Sequence, residues 1–193
     1  THTGTDGSSA QSIEDLAIYR SLPNMVVMHP SDDISTEILT SKLLDLNSPS
    51  YTRTARNKTP RIYSKDDSRI EIGKGVQLRD GSDVAIIACG VMVSKSLEAA
   101  ELLSEKGIEA AVVDMHTIKP LDEELVKRLA TECKLIVTVE DHSVIGGLGG
   151  AVAEYLSENI PTRLRRVGVR DRFGESGQAE EMLELLNIST NDI

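Results

Sequence analysis

The sequence predicts an α/β fold, a three-layer sandwich with a mostly parallel sheet, preceded by the end of a second α/β domain. Three observations carry this expectation. Beyond residue 68, continuous apolar runs of strand length alternate with amphipathic stretches at helical spacing, as parallel strands covered on both faces require. A polar stretch from Asn57 to Ser68 contains Pro60, has no sustained periodicity, and separates that pattern from an earlier strand-and-helix pattern. A chain of 193 residues with 39% hydrophobic content can bury one full core and part of a second. The expected division is residues 1–68 and residues 69–193.

The elements follow in order. Thr1 to Ala10 is small and polar with two glycines, and reads as a loop. Ile13, Leu16, Ala17 and Tyr19 recur at helical spacing, with Glu14 and Asp15 in the first turn where the helix dipole favours them. Met25 to Met28 is a compact buried strand, and Ser31-Asp32-Asp33 caps a helix carrying Ile34, Ile38, Leu39, Leu43 and Leu44. Ser50 to Thr54 alternates as a strand and delivers Arg56 to its carboxyl end. After the linker, Val84 to Cys89, Ala110 to Met115, Leu135 to Val139 and Leu164 to Val169 read as strands. The helices are Val93 to Glu105, ended by Lys106-Gly107, then Asp122 to Cys133, Gly150 to Glu158 and Ala179 to Leu186.

Composition narrows the function classes. With 31 acidic against 21 basic residues the net charge is −10, which argues against nucleic acid or an anionic membrane as partner. Cys89 and Cys133 each sit inside an apolar run, as small core residues in a reducing compartment do. There is no apolar stretch long enough to span a bilayer and no leader pattern, so the expectation is a soluble, cytoplasmic protein.

Ligands of such sheets usually sit outside the carboxyl ends of the strands, and four places there could carry chemistry. Glu140-Asp141-His142 precedes Gly146-Gly147-Leu148-Gly149-Gly150. The acid pair and imidazole could move protons and the glycine turn could offer backbone N–H groups to an anion, although a tight strand-to-helix turn with interface carboxylates explains the same residues. The glycines do not match the dinucleotide fingerprint, because Val152 stands where a third glycine belongs. Arg170 to Gly177 reads as a salt-bridged surface or subunit contact. Arg53 and Arg56 end a strand and have the fork that suits phosphate, against the plainer reading as surface ion pairs. His2 and Asp6 lie in the opening loop. His29 and His116 each follow a strand, and no pair of histidines has the spacing of a zinc site.

Taken together these segments resemble the back half of the transketolases. Thr5-Asp6-Gly7 with Ile13 to Ala17 resembles the family's Asp-Gly loop and following helix, and Leu22-Pro23-Asn24 with Pro30-Ser31-Asp32 its next strand and turn. Thr52 to Arg56 is similar to the segment bearing the sugar-phosphate arginine. Thr117 to Asp122, Thr138 to His142, Gly146 to Gly149 and Ser176-Gly177 then recur in the family's order, so the likeness spans nearly the whole chain.

The resemblance implies that the first part ends a pyrimidine-binding domain, that Arg56 and His2 bind the substrate phosphate, and that Asp6 bonds a hydroxyl near the reacting carbon. Those side chains have the donors and acceptor the roles need. It also implies a thiamine diphosphate enzyme using Mg or Ca and moving two-carbon ketol units between sugar phosphates, as a homodimer or as a heteromer with an N-terminal subunit. The catalytic glutamate and the diphosphate and metal domain are expected upstream of Thr1, so no catalytic residue is assigned in this chain. Where family members carry His or Gln after the Asp-Gly pair, this chain has Ala10 with Gln11 beside it. Two further readings stand beside this one: a β-type subunit of a 2-oxoacid dehydrogenase or a deoxyxylulose-phosphate synthase, and a non-catalytic assembly or regulatory α/β module.

Overall fold

The computed structural model describes residue 1 and residues 3–193; His2 lies outside them. In chain order the strands are β1 (Val26–Met28), β2 (Ser50–Thr52), β3 (Val76–Arg79), β4 (Val84–Ala88), β5 (Ala110–Asp114), β6 (Thr117–Lys119), β7 (Leu135–Ser143) and β8 (Leu164–Val169). The helices are α1 (Asp15–Ser21), α2 (Asp33–Lys42), α3 (Met92–Ser104), α4 (Glu123–Glu132), α5 (Leu148–Asn159) and α6 (Ala179–Leu185).

The main sheet has the order β3-β5-β4-β7-β8 and is parallel except for β3, which runs antiparallel to β5 at the edge. Its period-2 pattern sorts side chains onto two faces. Val84, Ile86 and Ala88 of β4 join Met92, Val93 and Ala100 of α3 and Leu183 of α6 in one apolar cluster. Ala85, Ile87 and Cys89 join Val126 and Leu129 of α4 and Val152 and Leu156 of α5 in another. Each fully buried aliphatic side chain contributes roughly 1.5–3 kcal/mol of transfer free energy, so the two clusters fix the sandwich. The expected layers are therefore present.

The first part of the chain forms a smaller sheet of order β2-β1-β6, in which β6 comes from beyond residue 68 and pairs antiparallel with β1. Leu16 of α1 and Val27 of β1 belong to the same apolar cluster as Ala85 and Ile87, so the two parts share a core. The predicted cap forms, with Asp32 accepting from Ser35 N at 2.7 Å to start α2, and Asp122, expected as the first residue of its helix, caps α4 by accepting from Leu125 N at 3.2 Å.

Three readings of the sequence are corrected. β3 was not expected, because three of its four residues are half-exposed on a sheet edge and it carries no apolar run. Thr117 to Lys119, for which no strand was expected, is a strand because β1 supplies its partner. Glu140 to His142, placed after a strand, lies inside β7, where a register shift between Val139 and Ser143 accommodates it and buried partners satisfy its charges. The polar stretch 57–68 does lack helix and strand, yet Tyr63 within it and Ile70 just beyond are buried against Val26, Met28 and Leu39.

Candidate functional site: an arginine-lined cavity at the strand ends

The carboxyl ends of β1, β2 and β7 converge on a cavity of about 250 Å³ bordered by Gln11, Asp15, His29, Arg53, Arg56 and Asp141. Arg53 is the first residue after β2, and its main chain is held on both sides: its N–H donates to Met28 O at 3.0 Å and its carbonyl lies 2.9 Å from His29 Nδ1. Its side chain is only 12% exposed and pairs with Asp141 Oδ2 at 3.0 Å and Asp15 Oδ2 at 3.6 Å, also donating to the Asp141 carbonyl at 3.2 Å. Burial works against the guanidinium charge, but Asp141 and Asp15 outweigh it and raise the Arg53 pKa above its ordinary value.

Asp141 sits at the centre of this network. His29 Nε2 lies 3.2 Å from its Oδ1, and the Thr1 nitrogen lies 3.3 Å from its Oδ2. Burial alone would raise its pKa; the opposing charges, Arg53 foremost, hold the carboxyl well below the usual carboxylate range. The imidazole can occupy this place because residue 90, at φ +57°, is glycine: a Cβ there would stand 1.9 Å from His29 Nε2. On the far side, Tyr51 donates to Asp15 Oδ2 at 2.7 Å and stacks on Tyr19 with ring centroids 3.9 Å apart. Burial and then the Asp15 carboxylate raise the Tyr51 pKa, so the phenol stays a donor.

Arg56 and Asp6 are brought together. They form an ion pair at the mouth of the cavity, with side chains 58% and 39% exposed, so both remain open to a ligand. Asp6 ends a short 3₁₀ turn, Gly4–Asp6, which packs on the Arg170 to Gly177 segment. Gly7 must lack a side chain there, since a Cβ would come within 2.4 Å of Ser176 Oγ. Within that segment Arg172 pairs with Glu175, as the salt-bridged reading expects. His2, the third expected contact, lies outside the described residues.

Several polar atoms around the cavity have no hydrogen-bond partner among the described residues: Arg53 Nη1, Gln11 Oε1, Thr52 Oγ1 and Asp15 Oδ1. Buried donors and acceptors are ordinarily paired, so a cluster of leftovers beside a cavity marks a place where a polar ligand or water completes the set.

The glycine-rich turn resolves differently. Glu140, fully buried, accepts from Leu148 N at 2.7 Å and Gly149 N at 2.8 Å, so its own carboxylate takes the first free N–H groups of α5. A Cβ at Gly147 would stand 2.1 Å from Glu140 Oε2, which is why the turn needs glycine. His142 directs Nδ1 to Ser143 O at 2.7 Å and receives the Ala17 N–H at Nε2, 3.3 Å away, an arrangement that suits the neutral imidazole. The turn is thus structural, in line with the plainer reading of these residues, and the anion that takes its N–H groups is a residue of the protein. Cys89 and Cys133 are both free and buried. Among the described residues no group of three His, Cys, Asp or Glu is placed to hold a metal ion, and no helix is long and apolar enough to cross a membrane.

Of the residues singled out in the sequence, Arg53, Arg56, His29 and Asp141 border the cavity and Asp6 pairs with Arg56, whereas Asp15 was read only as a first-turn acid. The available signal was position, because β1, β2 and β7 all present their carboxyl ends here.

Residues 73–193 match the profile of the transketolase C-terminal domain, and residues 1–61 match that of the transketolase pyrimidine-binding domain. The chain belongs to the transketolase family. It is 45% identical, over 98% of its length, to the inferred transketolase C-terminal section of Methanocaldococcus jannaschii, of which it covers 60%. A 6-deoxy-6-sulfo-D-fructose transketolase subunit of Clostridium sp. is 44% identical over 97% of the chain, which covers 58% of it. The 1-deoxy-D-xylulose-5-phosphate synthase of Halothermothrix orenii is 36% identical over 98% of the chain, which covers 30% of it. Among solved structures, a split-gene transketolase described as an inactive β4 tetramer superposes with a TM-score of 0.89 at 44% identity, covering 96% of this chain and 60% of that one. A transketolase mutant from Pichia stipitis gives 0.80 at 26% identity, covering 99% of this chain and 27% of that one. The transketolase-family chain thus spans about 60% of the length of the first two relatives.

Proposed function

We propose that this chain is the C-terminal part, or the C-terminal subunit, of a transketolase that transfers two-carbon ketol units between ketose and aldose phosphates. Its own contribution is to hold the sugar phosphate: Arg56 takes the phosphate, Asp6 accepts from a hydroxyl near the reacting carbon, and His2 is a further hydrogen-bond donor to the phosphate. The observation that carries this reading is the meeting of Arg56 and Asp6, one anion donor and one hydroxyl acceptor, at the mouth of a cavity with unpartnered polar atoms. A guanidinium and a carboxylate that pair with each other can both turn to a ligand bearing the complementary groups.

Family membership proposes thiamine diphosphate with Mg or Ca as the cofactor. The described residues do not make its seat by themselves: no metal-ligating trio occurs among them, and the cavity is lined by arginines and carboxylates already engaged with one another. Cofactor and metal would be held by other polypeptide, in a homodimer or in a heteromer with an N-terminal transketolase subunit, and this chain would add substrate contacts and assembly surface. The likeness to a deoxyxylulose-phosphate synthase supports a second reading, in which the donor is pyruvate.

Assaying the assembled protein with pentose phosphates and with pyruvate separates the two. Ketol transfer between pentose phosphates, with Arg56→Ala raising KM for the phosphorylated substrate at least about 10-fold through loss of a charged contact, is the expected result. Turnover of pyruvate alone would remove the first reading.

A further inference from the structure

The residues that fix the segment leading to Arg56 come from both parts of the chain, and one of them, Asp141, from the C-terminal part. Arg53 stands three residues before Arg56, and every interaction that pins it comes from elsewhere: His29 on its carbonyl, Asp15 on Nε, and Asp141 on Nη2 through both its carboxylate and its carbonyl. Asp141 lies on β7, 88 residues from Arg53. The far end of the same loop is tied down by a second carboxylate, Asp32, which accepts from Ile62 N at 2.8 Å and Tyr63 N at 2.9 Å. Arg56 therefore projects from a segment whose entry is oriented by a buried ion pair to the C-terminal domain.

We infer that Asp141, supported by His29, is a positioning residue that acts through Arg53 to set the place of the Arg56 guanidinium, and so tunes anion affinity at the cavity without itself contacting the anion. This deepens the proposed function and rests on its assignment of Arg56 as the anion contact. The chemistry favours such a role for this pair. An arginine fork bonded to one carboxylate at Nη2 and facing a second at Nε has its plane fixed, whereas a lysine in its place would be a single rotatable point charge. Asp141 is 1% exposed and Arg53 12%, so the pair is shielded from the screening that weakens surface ion pairs. Arg56 itself is 58% exposed and, among the described residues, its side chain pairs with Asp6, so its position depends on the backbone that leads to it.

The test is a mutant cycle read as affinity of the assembled protein for inorganic phosphate, by calorimetry or by the shift of Tm with phosphate concentration. Asp141→Asn is expected to weaken phosphate binding about 10-fold, in line with the cost of small displacements in positioned sites. In an Arg56→Ala background the same change is expected to add nothing, which a general loosening of the fold would not produce. Should Asp141→Asn fail to fold, Arg53→Lys and His29→Gln address the same linkage and are expected to weaken phosphate binding in the same non-additive way. Phosphate affinity within twofold of wild type in the folded variants, or an equal further loss without Arg56, would overturn the inference while leaving the role of Arg56 intact. If Arg56→Ala binds phosphate like the wild type, or the wild type binds none, the assignment of Arg56 falls, and the inference with it.

Discussion

Two adjacent residues near the carboxyl end of β7 treat buried charge in opposite ways. At Glu140 the carboxylate is answered from within, by the two amide N–H groups that open α5, and the turn has no space for a Cβ, let alone a ligand. One residue on, Asp141 faces Arg53, and around them a cavity retains a guanidinium nitrogen, an amide oxygen and a hydroxyl with no partner among the described residues. Both looked alike in sequence, as charged residues beside a strand end. What separates a structural site from a binding site here is whether the hydrogen-bond set closes on itself.

That contrast can be broken or sharpened by substitution. The largest effect concerns a leftover polar atom that borders no such cavity. Asp114 is fully buried, its Oδ2 accepts from Ser31 at 2.7 Å and Tyr63 at 2.8 Å, and its Oδ1 has no partner among the described residues. Burial, with neighbouring Asp32 adding to it against those two hydrogen bonds, raises the carboxyl to about 7. An acid whose folded pKa lies above its unfolded value near 3.9 stabilises the fold fully below that lower value and loses the contribution as pH rises through about 7. The lost stability is on the order of 4 kcal/mol. Denaturant titrations at pH 5 and pH 8 should show Asp114→Asn gaining on the wild type at the higher pH; a pH-independent difference between the two would contradict this.

Next in size is Glu140→Ala, which strands two buried N–H groups and should cost about 3 kcal/mol in urea unfolding while leaving phosphate affinity alone. Gly90→Ala follows at about 2 kcal/mol, from a left-handed backbone and the collision with His29. The smallest stability effect is expected at the cavity mouth, where Arg56→Ala should change unfolding free energy by less than about 0.5 kcal/mol and ligand binding strongly. A large loss of stability there would place Arg56 with the structural charges.

How much of this could be read from the sequence follows from how local each signal is. β8 and the helices around Leu97, Leu125 and Leu183 announce themselves because an apolar period is a property of one segment. The caps at Asp32 and Asp122 are equally local, three residues from donor to acceptor. β6 was invisible because its three residues become a strand only against β1, some 90 positions earlier. Asp6 and Arg56 were legible through their motifs, but the pairing of Arg53 with Asp141 spans 88 residues and has no periodic trace. The role of Glu140 was obscured for the same reason, since its partners are main-chain groups of a helix and carry no residue identity.

The most direct test of the account compares ribose 5-phosphate with ribose in equilibrium binding to the assembled protein, wild type and Arg56→Ala. The account predicts that the wild type binds the phosphorylated sugar at least about 10-fold more tightly than the free sugar, and that Arg56→Ala abolishes most of that preference. Equal binding of the two sugars, or a preference untouched by the loss of Arg56, would show that the arginine-lined cavity is not where the phosphate is held.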